Sequence, residues 1–161
     1  MPAFTTVRKL NLAASALCVA LLAYAYYAQF VLELEPCPLC ILQRVAFMLL
    51  TVLFVTAAIW PGRAMAMAIA VVSAAGAAIA TRHVWLQSLP ADQVPACGPS
   101  LDYMLRVFPL NDTLNMIFQG SGQCADVDWR FLGLSMPAWA LIALLAIGLG
   151  GLVVNWAGRP R

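Results

Sequence analysis

Charge is what this sequence has least of. Lys, Arg, Asp and Glu make up 10% of its 161 residues, where soluble domains carry about a quarter. The net charge is +2 and no basic run occurs, which argues against nucleic acid as a partner. Histidine occurs once, at His83. A chain of this length has no room for a second domain. Apolar residues fill the space left by the missing charge: 63% are hydrophobic and the mean hydropathy is +0.87. That is the composition of a protein whose first partner is the lipid bilayer.

The apolar residues fall in runs that match the roughly 20 helical residues needed to cross about 30 Å of hydrocarbon. Leu10 to Leu32 carries no charge and Ile41 to Trp60 carries only Arg44. Ala64 to Thr81 is uncharged and continues through "RHVWLQSL", and Phe131 to Gly158 is uncharged with its apolar centre at Ala138 to Trp156. The expected fold is an all-α membrane protein: one four-transmembrane-helix bundle, with spans at about 10–32, 41–60, 64–88 and 136–156. The loops then fall at about 33–40 and 89–135, the second of them long. The first run follows Arg8 and Lys9 and contains "AYA", as a cleavable signal peptide would. Its apolar stretch exceeds the roughly 7–15 residues of a signal core, which favours a retained helix. The third span, "AMAMAIAVVSAAGAAIA", is rich in small residues that let helices approach closely.

Charge is also missing in one sign. With four spans, Arg8, Lys9, Arg63, Arg159 and Arg161 fall on one side with no acid among them. The other side holds Glu33, Glu35, Asp92, Asp102, Asp112, Asp126 and Asp128, all the acids in the chain. The positive-inside rule then places both termini in the cytoplasm. Cys37, Cys40, Cys97 and Cys124 lie on the far side, where disulfides persist and where four cysteines can pair in three ways. Cys18, inside the first run, reads as a small buried apolar residue. Trp85, Trp129 and Trp139 near outer ends, with Trp60 and Trp156 near inner ends, make an aromatic belt.

In the long loop, Leu110, Leu114, Ile117 and Phe118 share one helical face opposite Asn111, Asp112, Asn115 and Gln119. The pattern fits either a helix lying on the membrane surface or ordinary loop packing. Cys97 and Cys124 flank it, and a static bridge between them would stabilise by about 3–4 kcal/mol on the chain-entropy model. The glycines on either side of Ser121 argue for a cysteine on a flexible tether instead.

The stretch "EPCPLCILQR" concentrates the chemistry. A c-type haem site needs histidine after the second cysteine, where Ile41 stands. Zinc needs two further ligands; Cys97 and Cys124 match no compact zinc spacing, so no metal is expected. Redox pairing remains. Pro38 suits the first helical position, which makes Cys37 the cap and puts Cys40 in the first turn, where the helix dipole favours thiolate. Arg44 follows Cys40 by one turn on the same face, either to favour an anion there or to snorkel outward. Four outer cysteines suggest a relay of two disulfides, and a lipid-soluble quinone suits an acceptor site at the membrane edge. His83 either lines that site or anchors at the interface.

The segments "CPLCILQR", "CGPSLDYML" and "GSGQCADVDWRFLGLSMPAWALI", in this order among four spans, closely resemble the bacterial disulfide bond formation protein B family across nearly the whole chain. The resemblance implies an inner-membrane enzyme with periplasmic cysteine loops. It would reoxidise a periplasmic DsbA-like thioredoxin-fold oxidase and pass electrons to ubiquinone or menaquinone and so to the respiratory chain. It implies that a partner thiolate attacks Cys97 of a Cys97–Cys124 disulfide, that Cys124 then attacks Cys37, and that Cys40 is released facing the quinone beside Arg44. His83, Gln87, Met136 and Trp139 would lie close to the quinone. The family often has an acid just before the arginine, where this chain has Gln43. The vitamin K epoxide reductase type carries its Cys-x-x-Cys after the loop cysteines, so the order here argues against it. A non-catalytic membrane module with structural disulfides is the alternative from another class.

Overall fold

The apolar runs become four long helices in the computed structural model, which describes residues 2–90, 92–94, 101–120, 122–127 and 129–157. They are α1 (Pro2–Phe30), α2 (Pro38–Ile59), α3 (Arg63–Gln87) and α6 (Met136–Ala157), each long and apolar enough to cross a membrane. Between α3 and α6 lie two short helices, α4 (Leu101–Val107) and α5 (Leu110–Gln119), and a 3-10 turn at Gly122–Cys124. The helix boundaries have local causes. Pro38 opens α2 behind an extended Cys37 cap at φ −68° and ψ 165°, since proline's missing N–H costs nothing in a first turn. After α1, Glu33 turns left-handed at φ 55°, and the Leu34 N–H reaches back to the Ala28 carbonyl at 3.1 Å.

The helices pack in chain order around a ring: α1 on α2, α2 on α3, α3 on α6, with α6 closing against α1. The core holds Cys18, Leu50, Phe54, Ala57, Ile69 and Leu144, all essentially sealed from outside. The outward faces are apolar too, with Leu17, Val52, Val71 and Leu149 exposed. Such surfaces suit lipid and not water. The α3–α6 seam is the tightest. A Cβ at Gly148 would lie 2.6 Å from Ser73 Cβ, and one at Gly151 would lie 2.8 Å from Ile69 and Phe54. Small residues there allow backbone approach, and Ser73 Oγ donates to the Leu144 carbonyl across the seam. At the end opposite Cys37, Asn11 and Asn155 exchange amide hydrogen bonds of 3.1 and 2.9 Å. Asn155 also donates to the Gly151 carbonyl at 2.9 Å. Arg63 covers the Trp156 ring at 5.1 Å at that same end. No buried side-chain nitrogen or oxygen lacks a partner among the described residues.

Two features add to the reading of the sequence. The uncharged run from Phe131 is too long for one span, and its first residues fold as a hairpin. Strand β1 (Arg130–Phe131) pairs antiparallel with β2 (Leu134–Ser135). The turn between them has both residues at positive φ, Leu132 at 51° and Gly133 at 81°, the arrangement that matches strand twist in a two-residue loop. Beside Ser121, Gly120 adopts φ 81° where a Cβ would meet Leu86, and Gly122 is buried. In α5, Ile117 is buried while Leu110 is 67% exposed, so part of the expected apolar face packs inward. Thr113 seats α5 on α4 through a 3.1 Å hydrogen bond to the Met104 carbonyl.

Candidate functional site

The outer ends of α2 and α3 meet at the Cys-x-x-Cys pair. Cys37 is buried and Cys40 half-buried, and both are thiols in this structure. His83 reaches them from α3. Its Nε2 lies 3.7 Å from Cys37 Sγ and its Nδ1 4.0 Å from Cys40 Sγ. Only 2% of His83 is exposed, so it faces the thiols and does not anchor at the interface. Gln43, one turn beyond Cys40, donates from Nε2 to His83 Nδ1 at 3.1 Å. In the tautomer that this bond suits, the ring proton is on Nε2 and faces Cys37.

Arg44 sits one turn below Cys40 and is held by α1. It donates to Gln29 Oε1 and, at 3.0 Å, to the Ala25 carbonyl. Its guanidinium lies 4.9 Å from the centre of the Tyr26 ring. These contacts satisfy the cation inside the bundle, so it has no need to snorkel outward.

Cys40, Arg44 and His83 open onto a cavity of about 600 Å³ whose wall also includes Gln87, Met136 and Trp139. Arg44 is the only lysine or arginine among the described lining residues. The roof is aromatic. Trp129, Phe131 and Trp139 follow one another at centroid distances of 6.1 Å, and Tyr24 meets Trp129 edge-on at 5.9 Å. The hairpin holds this roof in place: Trp139 Nε1 donates to the Phe131 carbonyl at 3.0 Å, and Ser135 Oγ donates to Gln87 Oε1 at 2.6 Å. Trp129 and Trp139 are therefore cavity walls, whereas Trp85, 48% exposed beneath Arg82, remains a belt residue. Leu21, Leu22, Phe47 and Ala140 line its apolar part, and Glu35, Gln43, Gln123 and Asp126 also stand in its wall. A mostly apolar cleft with a few convergent polar groups at one end fits a flat lipid-soluble ring bearing oxygens.

Cys124 approaches from the other side. The 3-10 turn buries it completely in a cluster with Cys37, Leu39, Leu86 and Ile117. Cys97 lies outside the described residues. Seven of the expected site residues thus surround one cavity: Cys37, Cys40, Arg44, His83, Gln87, Met136 and Trp139. Cys124 stands behind Cys37. The sequence reading treated Gln43 only as a departure from a pattern and did not single out Gln29, Tyr24 or Ser135. Gln43 did carry a signal, since it falls three residues after Cys40 on the same helical face.

The family model described as "Disulfide bond formation protein DsbB" matches residues 7–154. Several curated proteins called disulfide bond formation protein B are similar over most of their length. The one from Hahella chejuensis is 46% identical over the whole of both chains. The one from Nitrosococcus oceani is 54% identical over 83% of this chain and 82% of its own. The one from Methylococcus capsulatus is 52% identical over 86% of this chain and 88% of its own.

Proposed function

We propose an electron route for this chain, which belongs to the disulfide bond formation protein B family and is a disulfide-generating membrane oxidoreductase. The route runs from a periplasmic DsbA-like dithiol, through Cys97 and Cys124, to Cys37 and Cys40, and out to a membrane quinone, ubiquinone or menaquinone. A partner thiolate attacks Cys97 and expels Cys124 as thiolate. Cys124 attacks Cys37 of the oxidised pair and expels Cys40; the partner's second thiol displaces Cys97, leaving the partner as a disulfide, and Cys97 then displaces Cys37 from Cys124, which restores the loop disulfide and leaves Cys37 and Cys40 as the reduced pair. Two electrons and two protons cross for each disulfide made. The burial of Cys124 in one apolar cluster with Cys37 carries this reading, because a loop thiol shares the cluster that holds the helix cap.

A bound quinone would supply the two-electron, two-proton acceptor. The chain's own groups prepare for it. Pro38 and the helix N-terminus fix Cys40 at the cavity wall. Arg44 holds a positive charge one turn below, fixed by Gln29 and Ala25. His83 sets Nε2 beside Cys37, and an aromatic roof covers the cavity. The acidic side with the cysteine loops faces the periplasm, the basic ends face the cytoplasm, and the protein spans the inner membrane four times. The test is quinone reduction by purified protein supplied with a reduced dithiol partner. Turnover should vanish on replacing Cys37, Cys40, Cys97 or Cys124 with Ser. Activity surviving all four changes would overturn the route.

A further inference from the structure

We propose that the reduced Cys37–Cys40 pair and His83 form a capture site for a thiophilic divalent cation, Zn²⁺ fitting best, which exists only while the pair is a dithiol. Cys37 Sγ, Cys40 Sγ and a His83 ring nitrogen all lie within 4.8 Å of one another. Zinc bonds of about 2.3 Å to sulfur and 2.0–2.1 Å to nitrogen place tetrahedral ligand atoms about 3.5–3.8 Å apart. The 3.7 Å between Cys37 Sγ and His83 Nε2 already spans one such edge. Two thiolates and an imidazole favour zinc over magnesium or calcium. The sequence suggested only Cys97 and Cys124 as additional ligands. The fold instead supplies His83 from α3, and all three side chains line the cavity.

Gln43 completes the arrangement. It lies 3.1 Å from His83 Nδ1, and rotating its amide presents Oε1 to an Nδ1–H, which frees the Nε2 lone pair for the metal. Metal-binding histidines generally have such an outer hydrogen bond. Capture forms two Zn–S bonds and one Zn–N bond and releases two thiol protons, and the sulfurs are neither oxidised nor reduced. The bound ion occupies the thiolates that must next give up electrons, so it arrests the reduced enzyme reversibly. The oxidised pair offers no thiolate. The site rests on these three side chains and not on the quinone route.

The test uses the full chain in detergent, reduced, freed of reductant without air, and given Zn²⁺ or Mg²⁺ alone. The expected result is one Zn²⁺ retained per reduced chain, less than about a tenth of that per oxidised chain, and no Mg²⁺. The Cys97→Ser/Cys124→Ser double variant should retain the same stoichiometry. His83→Ala and His83→Gln should each weaken binding at least about tenfold. Co²⁺ should give thiolate-to-metal absorption in the reduced protein that falls in Cys40→Ser. Equal zinc on the oxidised chain, undiminished binding in both His83 variants, or no zinc on the reduced chain would overturn the proposal. Turnover of metal-free protein is read separately, so either conclusion can fail without the other.

Discussion

Replacing Arg44 separates its structural role from its chemical one, because the two have different magnitudes. Arg44→Ala removes hydrogen bonds to Gln29 Oε1 and the Ala25 carbonyl and a cation–π contact with Tyr26. Hydrogen bonds to a charged group contribute about 1.5–3 kcal/mol each, and the aromatic contact about 0.5–1 kcal/mol. Against these stands the cost of holding an arginine within a span, about 2.5–3.5 kcal/mol at the centre and less near an end. The lost contacts exceed that cost by a few kcal/mol at most, so unfolding in detergent should shift by no more than about 4 kcal/mol. The cavity, however, loses its only arginine or lysine among the described lining residues. Removing a preorganised charge-stabilising group costs about 10²–10³ in rate. kcat/KM for quinone should therefore fall about a hundredfold, while dithiol exchange with Cys37 and Cys40, followed by thiol trapping without quinone, stays within a few-fold. Arg44→Lys keeps the charge but reaches one α1 acceptor at a time and should fall between. Quinone kinetics within twofold of the parent in Arg44→Ala would refute the reasoning and leave Arg44 as a strut between α1 and α2.

Three further outcomes follow from packing. Gly148→Val should destabilise the bundle by about 2–3 kcal/mol in detergent unfolding, since the added side chain meets Ser73 across the α3–α6 seam. Asn155→Leu leaves Asn11 with only its 3.4 Å contact to the Ala57 carbonyl and should cost about 1–2 kcal/mol; Asn11→Leu/Asn155→Leu should recover much of it, a coupling read by a double-mutant cycle. Cys18→Ser should leave quinone turnover nearly unchanged, because Cys18 is buried in the core among α2 and α6 residues and does not line the cavity; a large loss in steady-state rate would give Cys18 a role this structure does not show.

The four helices were legible in the sequence because span length and missing charge are local properties. Pro38 likewise announced the start of α2 and the cap at Cys37, since proline acts on its own peptide unit. The hairpin at Arg130–Ser135 was not legible. Phe131, Leu132 and Leu134 are as apolar as the span that follows, and only Gly133 marks the turn. Burial within α5 was hidden for another reason: a surface helix and a packed one share the same periodicity. Ile117 turns inward because Leu86 and Cys124 are there to meet it, a fact of tertiary placement.

The same distinction explains the site. Cys40 and Arg44 could be paired from sequence because four residues on one helix share a face. His83 lies 40 residues from Gln43 and could be read equally well as an interfacial anchor until α3 was packed against α2. That packing also changes what Gln43 means. As a residue beside Arg44 it differs from a common acid only in charge; as the partner of His83 Nδ1 it helps hold the ring beside the two thiols. An amide there can donate to one ring tautomer and accept from the other. The ring that aims a proton at Cys37 can therefore also offer Cys37 a lone pair, according to which end of Gln43 it meets.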